Sequence, residues 1–121
     1  MVKFFDITAL IFYCALIYWL SDQPSLPLPM IFTFQDKFEH FSAYFIMGIL
    51  AWRSFRHIVK PALILAIVSL VFCSLHGIAD EWHQSFVEGR SPDVLDWVAD
   101  TLGASVAMLA LIRFYNRPRL V

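Results

Sequence analysis

The sequence predicts an all-α membrane protein with four transmembrane helices, folded as a single domain of 121 residues. The composition is 60% hydrophobic and 16% charged, with a mean hydropathy of +0.67, which leaves too little polar surface for a soluble domain of this size. Four apolar segments approach the length of about 20 residues that a helix needs to cross a bilayer. The net charge of −1, without a basic stripe, excludes nucleic acid as the expected partner.

The first predicted span covers about residues 4–20, "FFDITALIFYCALIYWL". Asp6 interrupts the beginning of this run and no small-residue cleavage site follows it, which favours a retained helix over a secretory signal. We expect Asp6 to lie at the membrane interface. The connection after this span contains Pro24, Pro27 and Pro29, which break helices.

The second predicted span covers about residues 37–54, and it reaches spanning length only because its polar start, within "DKFEH", is included. The segment "RSFRHIVK" connects it to the third span, and we expect His57 in this segment to lie at the surface. The third predicted span covers about residues 61–82 and begins with "PALILAIVSLVFCSL".

The fourth predicted span covers about residues 92–114. Gly89 supplies the conformational freedom for the turn before it, Ser91 is a good N-cap, and Pro92 is tolerated in a first helical turn. The sequence contains no internal repeat and no low-complexity tract.

The distribution of lysine and arginine predicts the orientation of the bundle. Seven of the nine basic residues fall on one side of the four spans, and this side is expected to be cytoplasmic. Both termini are then cytoplasmic, and only Lys37 and Arg90 lie toward the outer side. The seven residues are Lys3, Arg53, Arg56, Lys60, Arg113, Arg117 and Arg119.

The remaining ionisable residues concentrate at the predicted outer ends of the spans. Asp93, Asp96 and Asp100 have i, i+3, i+7 spacing and share one face of the fourth helix. Asp100 is expected about 13–14 Å along this helix, near the middle of the bilayer. Because an intramembrane carboxylate costs at least about 2.5–3.5 kcal/mol, it should face the bundle interior and be protonated or paired.

Helical spacing groups the other polar side chains into two stripes. Lys37, His40 and Tyr44 form a stripe on the second helix, and Glu39 points in roughly the opposite direction. Asp36, Glu39 and Glu88 are interpreted as interfacial. The stripe on the third helix comprises His76, Asp80 and His83, with Gln84 beside it and Glu81 at its edge. Ionisable groups inside a span are functional candidates, although polar contacts between helices are an alternative role.

Two blocks of these residues resemble the VanZ-like family of small bacterial membrane proteins. The blocks are "DKFEHFSAYFIMG" and "ADEWHQSFVEGRSPDVLDWVADTLGA", and the resemblance covers about Asp36 to Ala104. The first predicted helix matches only in hydropathy. The family pattern carries over to Asp36, Lys37, His40, Tyr44, Asp80, Glu81, Gln84, Arg90, Ser91, Asp93, Asp96 and Gly103.

The resemblance implies a bacterial cytoplasmic membrane protein, and the family is named for a protein linked to low-level teicoplanin resistance. No biochemical activity is implied with it. Position 100 departs from the pattern, because the family typically has asparagine there and this chain has Asp100. A protonated aspartic acid would best reproduce the hydrogen bonding of that amide.

The first functional hypothesis is a binding or accessory protein of the cell envelope. Lys37, His40 and Arg90 would hold an anionic lipid or lipid-linked cell-wall precursor at the outer leaflet, since arginine forks match phosphates and carboxylates. The carboxylates would orient these cations and accept hydrogen bonds from sugar or amide groups. The full predicted ligand-binding set is Lys37, His40, Tyr44, Gln84, Arg90, Asp93 and Asp100.

The second hypothesis is an enzyme acting on a lipid-linked phosphate, with Glu81, Asp80 and Asp96 as acid and base groups. In a variant of this hypothesis, a divalent cation is bound by Asp80, Glu81, His83, Asp93 and Asp96. Oxygen-rich ligands favour Mg²⁺, Mn²⁺ or Ca²⁺, and two histidines would allow Zn²⁺. No spacing matches a known catalytic signature, so no metal site or cofactor is assigned. The third hypothesis is a proton-linked transporter with Asp96 and Asp100 as a relay, which would require an oligomer because four helices leave little room for a pathway.

Overall fold

The computed structural model describes residues 1–24 and 29–115. These residues form four helices and no strand, and each helix begins and ends within two residues of its predicted span. Pro27, Arg117 and Arg119, which entered the predictions above, lie outside the described residues. The helices are α1 (Val2–Ser21), α2 (Gln35–Phe55), α3 (Ala62–Gln84) and α4 (Val94–Tyr115).

Three of the helices, α1, α3 and α4, are long and apolar enough to cross a membrane. Large apolar side chains cover their outer surfaces, for example Phe12, Leu75 and Leu109. Exposed apolar side chains over whole helices are typical of lipid-facing surfaces. α2 is 21 residues long but carries more polar residues, so its length and composition alone do not identify it as a fourth span.

α2 is the central helix of the bundle. It contacts all three other helices, most extensively α4, and its side chains Tyr44, Met47 and Ala51 form the middle of the core. The approach to α4 is close at Gly103, where a Cβ atom would overlap the carbonyl oxygen of Phe41. Small residues at such crossings let backbones approach each other. The polar first turns of α2 are thereby held directly against the beginning of α4.

The beginning of α4 corrects the predicted cap. Ser91 was expected to cap this helix, but α4 begins at Val94 and Asp93 occupies the capping position. The carboxylate of Asp93 accepts a hydrogen bond of 2.9 Å from the backbone N–H of Leu95. A carboxylate also suits the positive end of the helix dipole, which explains why aspartate takes this place. Gly89 has a φ of 81°, as the predicted turn requires.

At the opposite end of the bundle, Asp6 is 1% exposed and holds α1 against α2. Its Oδ1 accepts hydrogen bonds from Nε and Nη2 of Arg53 at 3.0 and 2.7 Å, and its Oδ2 accepts one from His57 Nε2 at 2.9 Å. Arg56 Nη2 lies 3.4 Å from Oδ2. The depth of Asp6 in the membrane stays a prediction, but its carboxylate is buried against α2. His57 was expected at the surface and instead is one of the compensating donors that the buried carboxylate recruits.

Candidate functional site

The first turns of α2 and α4 and the last turns of α1 and α3 form one end of the bundle, here called the polar end. Lys37 on α2 lies between three aspartates at this end. Its Nζ donates to Oδ2 of Asp93 at 2.7 Å, to Oδ1 of Asp96, and to Oδ2 of Asp36 at 3.3 Å. The Lys37 ammonium also lowers the pKa of Asp93 below its usual range. Lys37 therefore acts as an internal counterion that joins α2 to α4.

His40 lies one turn deeper than Lys37 and contacts a second set of aspartates. Its Nδ1 is 2.9 Å from Oδ1 of Asp100, and its Nε2 is 3.8 Å from Oδ2 of Asp96 and 3.9 Å from Oδ1 of Asp36. Asp100 is completely buried. The two residues link α2 and α4 in the interior of the bundle.

Three buried carboxylate oxygens at the polar end have no hydrogen-bond donor among the described residues. They are Oδ1 of Asp80, Oε1 of Glu81 and Oδ2 of Asp100. The other oxygen of Glu81, Oε2, accepts a hydrogen bond of 2.8 Å from the backbone N–H of Asp93. Buried polar atoms are nearly always paired, so three unpaired oxygens in one region indicate a place for a ligand or an ion.

The space for Asp100 depends on Gly77 of α3, which the sequence interpretation missed. A Cβ atom on Gly77 would lie 2.9 Å from Oδ2 of Asp100 and 3.3 Å from its Cβ. A glycine on α3 is needed there because the carboxylate of α4 occupies the place of a side chain. The sequence signal that could have indicated this role is a glycine one turn before Asp80, on a helix that carries ionisable residues near its end.

A cavity of about 340 Å³ opens at the polar end, beside His40 and Asp80. Ile17, Leu20 and Ala43 form an apolar wall, so the cavity is amphipathic. Glu39 was expected to point away from the site but lines this cavity, because the cavity lies on the side of α2 that faces α1. The polar lining consists of Ser21, Asp36, Glu39, His40, Tyr44, Asp80, Gln84 and Arg90.

Arg90 lines the cavity, but its guanidinium is largely committed to the backbone. Nε donates to the carbonyl of Gln23 at 2.7 Å and Nη2 donates to the carbonyl of Leu20 at 3.1 Å. Carbonyl groups at the C-terminal end of a helix lack intrahelical partners, and a nearby arginine satisfies them. Arg90 therefore stabilises the end of α1, a contact that the sequence pattern did not predict.

The residues of the predicted stripe on α3 contact different parts of the bundle. His76 Nδ1 is 3.0 Å from the hydroxyl of Tyr44, inside the bundle. His83 contacts residues at the end of α1 instead, since its Nε2 lies 3.1 Å from Oδ1 of Asp22 and its ring lies 4.3 Å from that of Tyr18. His83 is thus not brought together with the acidic residues that the enzyme hypothesis grouped with it.

Carboxylates outnumber cations at the polar end. Among the described residues, the cationic side chains there are Lys37, Arg90 and, when protonated, His40 and His83. Each already contacts an acidic group or a backbone carbonyl. Within residues 1–24 and 29–115, two groups of side chains have ligand atoms close enough to share a metal ion, each within 4.8 Å of the others. These groups are Asp36, His40 and Asp96, and His40, Glu81 and Asp100.

Comparison with known proteins identifies the family. The sequence model of the VanZ/LLP1 family matches residues 4–115, which span all four helices. The chain belongs to the VanZ/LLP1 family. The match includes α1, where the two sequence blocks had shown only similar hydropathy.

This VanZ/LLP1 protein also resembles a curated protein of the yeast Schizosaccharomyces pombe, "Uncharacterized protein C11E3.10". The two are 34% identical over 99 residues, which cover 82% of this chain and 57% of the yeast protein. The chain therefore spans little more than half the length of that relative. No solved structure matches the sequence.

In this VanZ/LLP1 protein, the residues of the two sequence blocks lie close together in the folded structure. Residues of the pattern that are distant in the sequence meet at the polar end, including Lys37 of α2, Glu81 of α3 and Asp96 of α4. Gly103, the last residue of the pattern, permits the close crossing of α2 and α4 that brings these groups together.

Proposed function

We propose that this VanZ/LLP1 protein binds the head group of an anionic, lipid-linked envelope component in the cavity at the polar end. The observation that carries this proposal is the amphipathic lining of the cavity, which includes Asp80 with its buried, unpaired Oδ1 on the polar side. The wall formed by Ile17, Leu20 and Ala43 suits an acyl or isoprenoid chain, while Tyr44, Asp80 and Gln84 suit a head group.

Hydrogen bonding favours a head group rich in hydroxyl or amide groups. Asp80 offers an unpaired acceptor toward this region, and the amide of Gln84 can both donate and accept. A ligand N–H or O–H at Asp80 would remove the cost of an unpaired buried oxygen. Because this free-energy cost is removed only by a donor, the site favours sugar and peptide head groups over groups that cannot donate a hydrogen bond.

The proposed topology has four transmembrane helices and both termini in the cytoplasm of a bacterium, with the polar end on the extracytoplasmic side of the cytoplasmic membrane. The basic residues support this orientation. The length of α2, about 31 Å at 1.5 Å per residue, supports its role as a fourth span. Reporter fusions after residues 24, 58, 88 and 115 should alternate between outside and inside. The same location for residues 24 and 58 would contradict a transmembrane α2.

Native mass spectrometry of the protein purified in mild detergent tests the proposed ligand. We expect retained lipid-linked species of defined mass, and a marked loss of them in Asp80→Asn and Gln84→Ala. Leu109→Ala is the matched control, because Leu109 is 69% exposed on the outer surface of α4. Equal retention by the control and the two cavity variants would contradict the proposal.

A role in glycopeptide susceptibility follows from this proposal only if the ligand is a cell-wall precursor. Deletion of the gene in its bacterial host should then change the inhibitory concentration of teicoplanin, and the Asp80→Asn protein should fail to restore it. The yeast relative shows that similar sequences occur outside bacteria, so retained phospholipids are to be measured alongside cell-wall precursors.

Hydrolysis or transfer at a lipid-linked phosphate is the second candidate function, favoured by the buried carboxylates of Glu81, Asp80 and Asp96. Glu81→Gln and Asp96→Asn, made separately, should abolish turnover of a lipid pyrophosphate while leaving lipid retention measurable. Release of phosphate that is equal in the wild type and both variants would exclude these residues as acid and base groups.

A further inference from the structure

An anionic ligand faces an electrostatic difficulty at the polar end. Carboxylates predominate there, and the charge of Lys37 is shared among three of them. Arg90 is engaged with the carbonyls of α1. A phosphate placed beside Glu81 and Asp100 would therefore meet mainly negative charge, and a further cation is needed to attract it.

We propose that His40, Glu81 and Asp100 bind a divalent transition-metal cation. These residues come from α2, α3 and α4, and one ligand atom of each lies within 4.8 Å of the other two. Bonds of about 2.0–2.2 Å to nitrogen and oxygen would place the ion between them after small side-chain rotations. The site therefore joins the three helices that meet at the polar end.

The unpaired oxygens are the second observation that supports an ion. Oε1 of Glu81 is buried without a donor, whereas Oε2 is already fixed by the backbone N–H of Asp93. Asp100 likewise has one oxygen on His40 and one buried oxygen without a donor. An ion would supply the missing positive charge to both carboxylates, and His40 would bind it through an unprotonated ring nitrogen.

The alternative cluster of Asp36, His40 and Asp96 is less suitable. The carboxylates of Asp36 and Asp96 both contact the Lys37 ammonium, which would repel an incoming cation. The side chain of Asp36 is also 51% exposed and held less firmly. The cluster with Glu81 and Asp100 is deeper and has no direct contact with Lys37 among the described ion pairs.

One imidazole and two carboxylates suit Mn²⁺ or Zn²⁺, since both ions accept mixed nitrogen and oxygen ligands. Three coordinating side chains would leave positions on the ion open for water or for a phosphate oxygen of the bound lipid. This last step rests on the proposed function, whereas the ion site itself does not.

The test is titration of the metal-free full-length protein in detergent, without added lipid, with Zn²⁺ by calorimetry and with Mn²⁺ by electron paramagnetic resonance. We expect one ion per chain. Glu81→Gln should weaken its binding by about tenfold or more, as loss of a metal-supporting group commonly does. Asp36→Asn is the discriminating control and should change the affinity by less than about threefold, because its carboxylate is outside the proposed ligand set.

Absence of ion uptake by the folded wild-type protein overturns the proposal, whatever the variants do. An equal loss of affinity in Asp36→Asn and Glu81→Gln also overturns it, since the ion would then not distinguish the two clusters. Circular dichroism of each variant establishes that it is folded, and Glu81→Asp provides a second substitution that retains the carboxylate.

Native mass spectrometry with and without a chelator separates this inference from the proposed function. Ion binding without any retained lipid would support the metal site and contradict the lipid site. Equal lipid retention with and without the chelator, together with no ion uptake, would support the lipid site and contradict the metal site. Lipid retention that requires the ion would support both.

Discussion

His40 on α2 and Asp100 on α4 form a hydrogen bond of 2.9 Å between Nδ1 and Oδ1 inside the bundle. This contact joins two residues that are 60 positions apart in the sequence. Asp100→Asn should preserve the fold in metal-free protein, because an amide can maintain the hydrogen bond to His40. Asp100→Leu should lower stability by about 1–3 kcal/mol, because it leaves His40 without this partner.

Unfolding of both Asp100 variants in detergent, followed by circular dichroism at increasing denaturant, measures the difference. Comparable destabilisation by asparagine and leucine would show that the charge of Asp100, rather than its hydrogen bond, stabilises the bundle.

The ion pair between Asp6 and Arg53 predicts that α1 depends on a single buried carboxylate. Asp6→Asn should lower the unfolding temperature by several degrees, because Arg53, Arg56 and His57 would lose the negative charge and one of the two acceptor oxygens that they share. Asp22→Asn is the control, since Asp22 is more than half exposed and contacts only His83 in the described ion pairs. Similar melting temperatures for the two variants would contradict the structural importance of Asp6.

The close crossing at Gly103 predicts a steric effect. Gly103→Ala should destabilise the protein by about 1–3 kcal/mol or prevent folding, because the new Cβ would overlap a backbone carbonyl that cannot rotate away. Leu109→Ala on the exposed surface of α4 should have a much smaller effect in detergent. Equal unfolding curves for wild type and Gly103→Ala would show that α2 and α4 are not held this closely.

The contact between Lys37 and Asp93 predicts a dependence on pH. The folded-state pKa of Asp93 lies below its usual 3.8, so this pair contributes stability above that pH and loses it as the pH falls through the folded value. Lys37→Met should therefore be less stable than wild type at pH 7, with a smaller difference at acid pH. Unfolding temperatures from pH 7 to 3 measure this, with Lys3→Met as control. A difference that grows on acidification would contradict the sign.

The hydrogen bonds of Arg90 predict local effects at the end of α1. Arg90→Gln should speed amide hydrogen exchange at Asp22 and Gln23, whose N–H groups bond to the carbonyls of Tyr18 and Leu20. Arg113→Gln, at the far end of α4, should leave this region unchanged. Unaltered exchange in Arg90→Gln, combined with loss of lipid retention, would instead assign Arg90 to the ligand.

The helices themselves were predictable from local information. The helix bounds follow from runs of apolar residues broken by proline and glycine, and each observed helix agrees with its predicted span within two residues. The cap was predicted less well, because Ser91 and Asp93 are both good capping residues and only the observed start of α4 distinguishes them. Helix ends depend on a few competing hydrogen bonds of similar strength.

The partners of the polar side chains were not predictable in the same way. Helical spacing grouped Lys37 with His40, but it could not show that Lys37 meets Asp96 while Arg90 turns to the carbonyls of α1. Helical spacing also could not pair the buried Asp6 with Arg53 in the last turn of α2. It could not show that Glu39 lines a cavity. These relations depend on the rotation and separation of helices that are far apart in sequence.

The sequence by itself determined that this chain forms four helices, at least three of them apolar enough to cross a membrane, and that it belongs to the VanZ/LLP1 family. Hydropathy and spacing suffice for this because each helix forms its own backbone hydrogen bonds. Only the tertiary structure decided which charges neutralise each other and which oxygens of Asp80, Glu81 and Asp100 stay unpaired. Those outcomes depend on distances of a few ångströms across helix crossings, which residues such as Gly77 and Gly103 control.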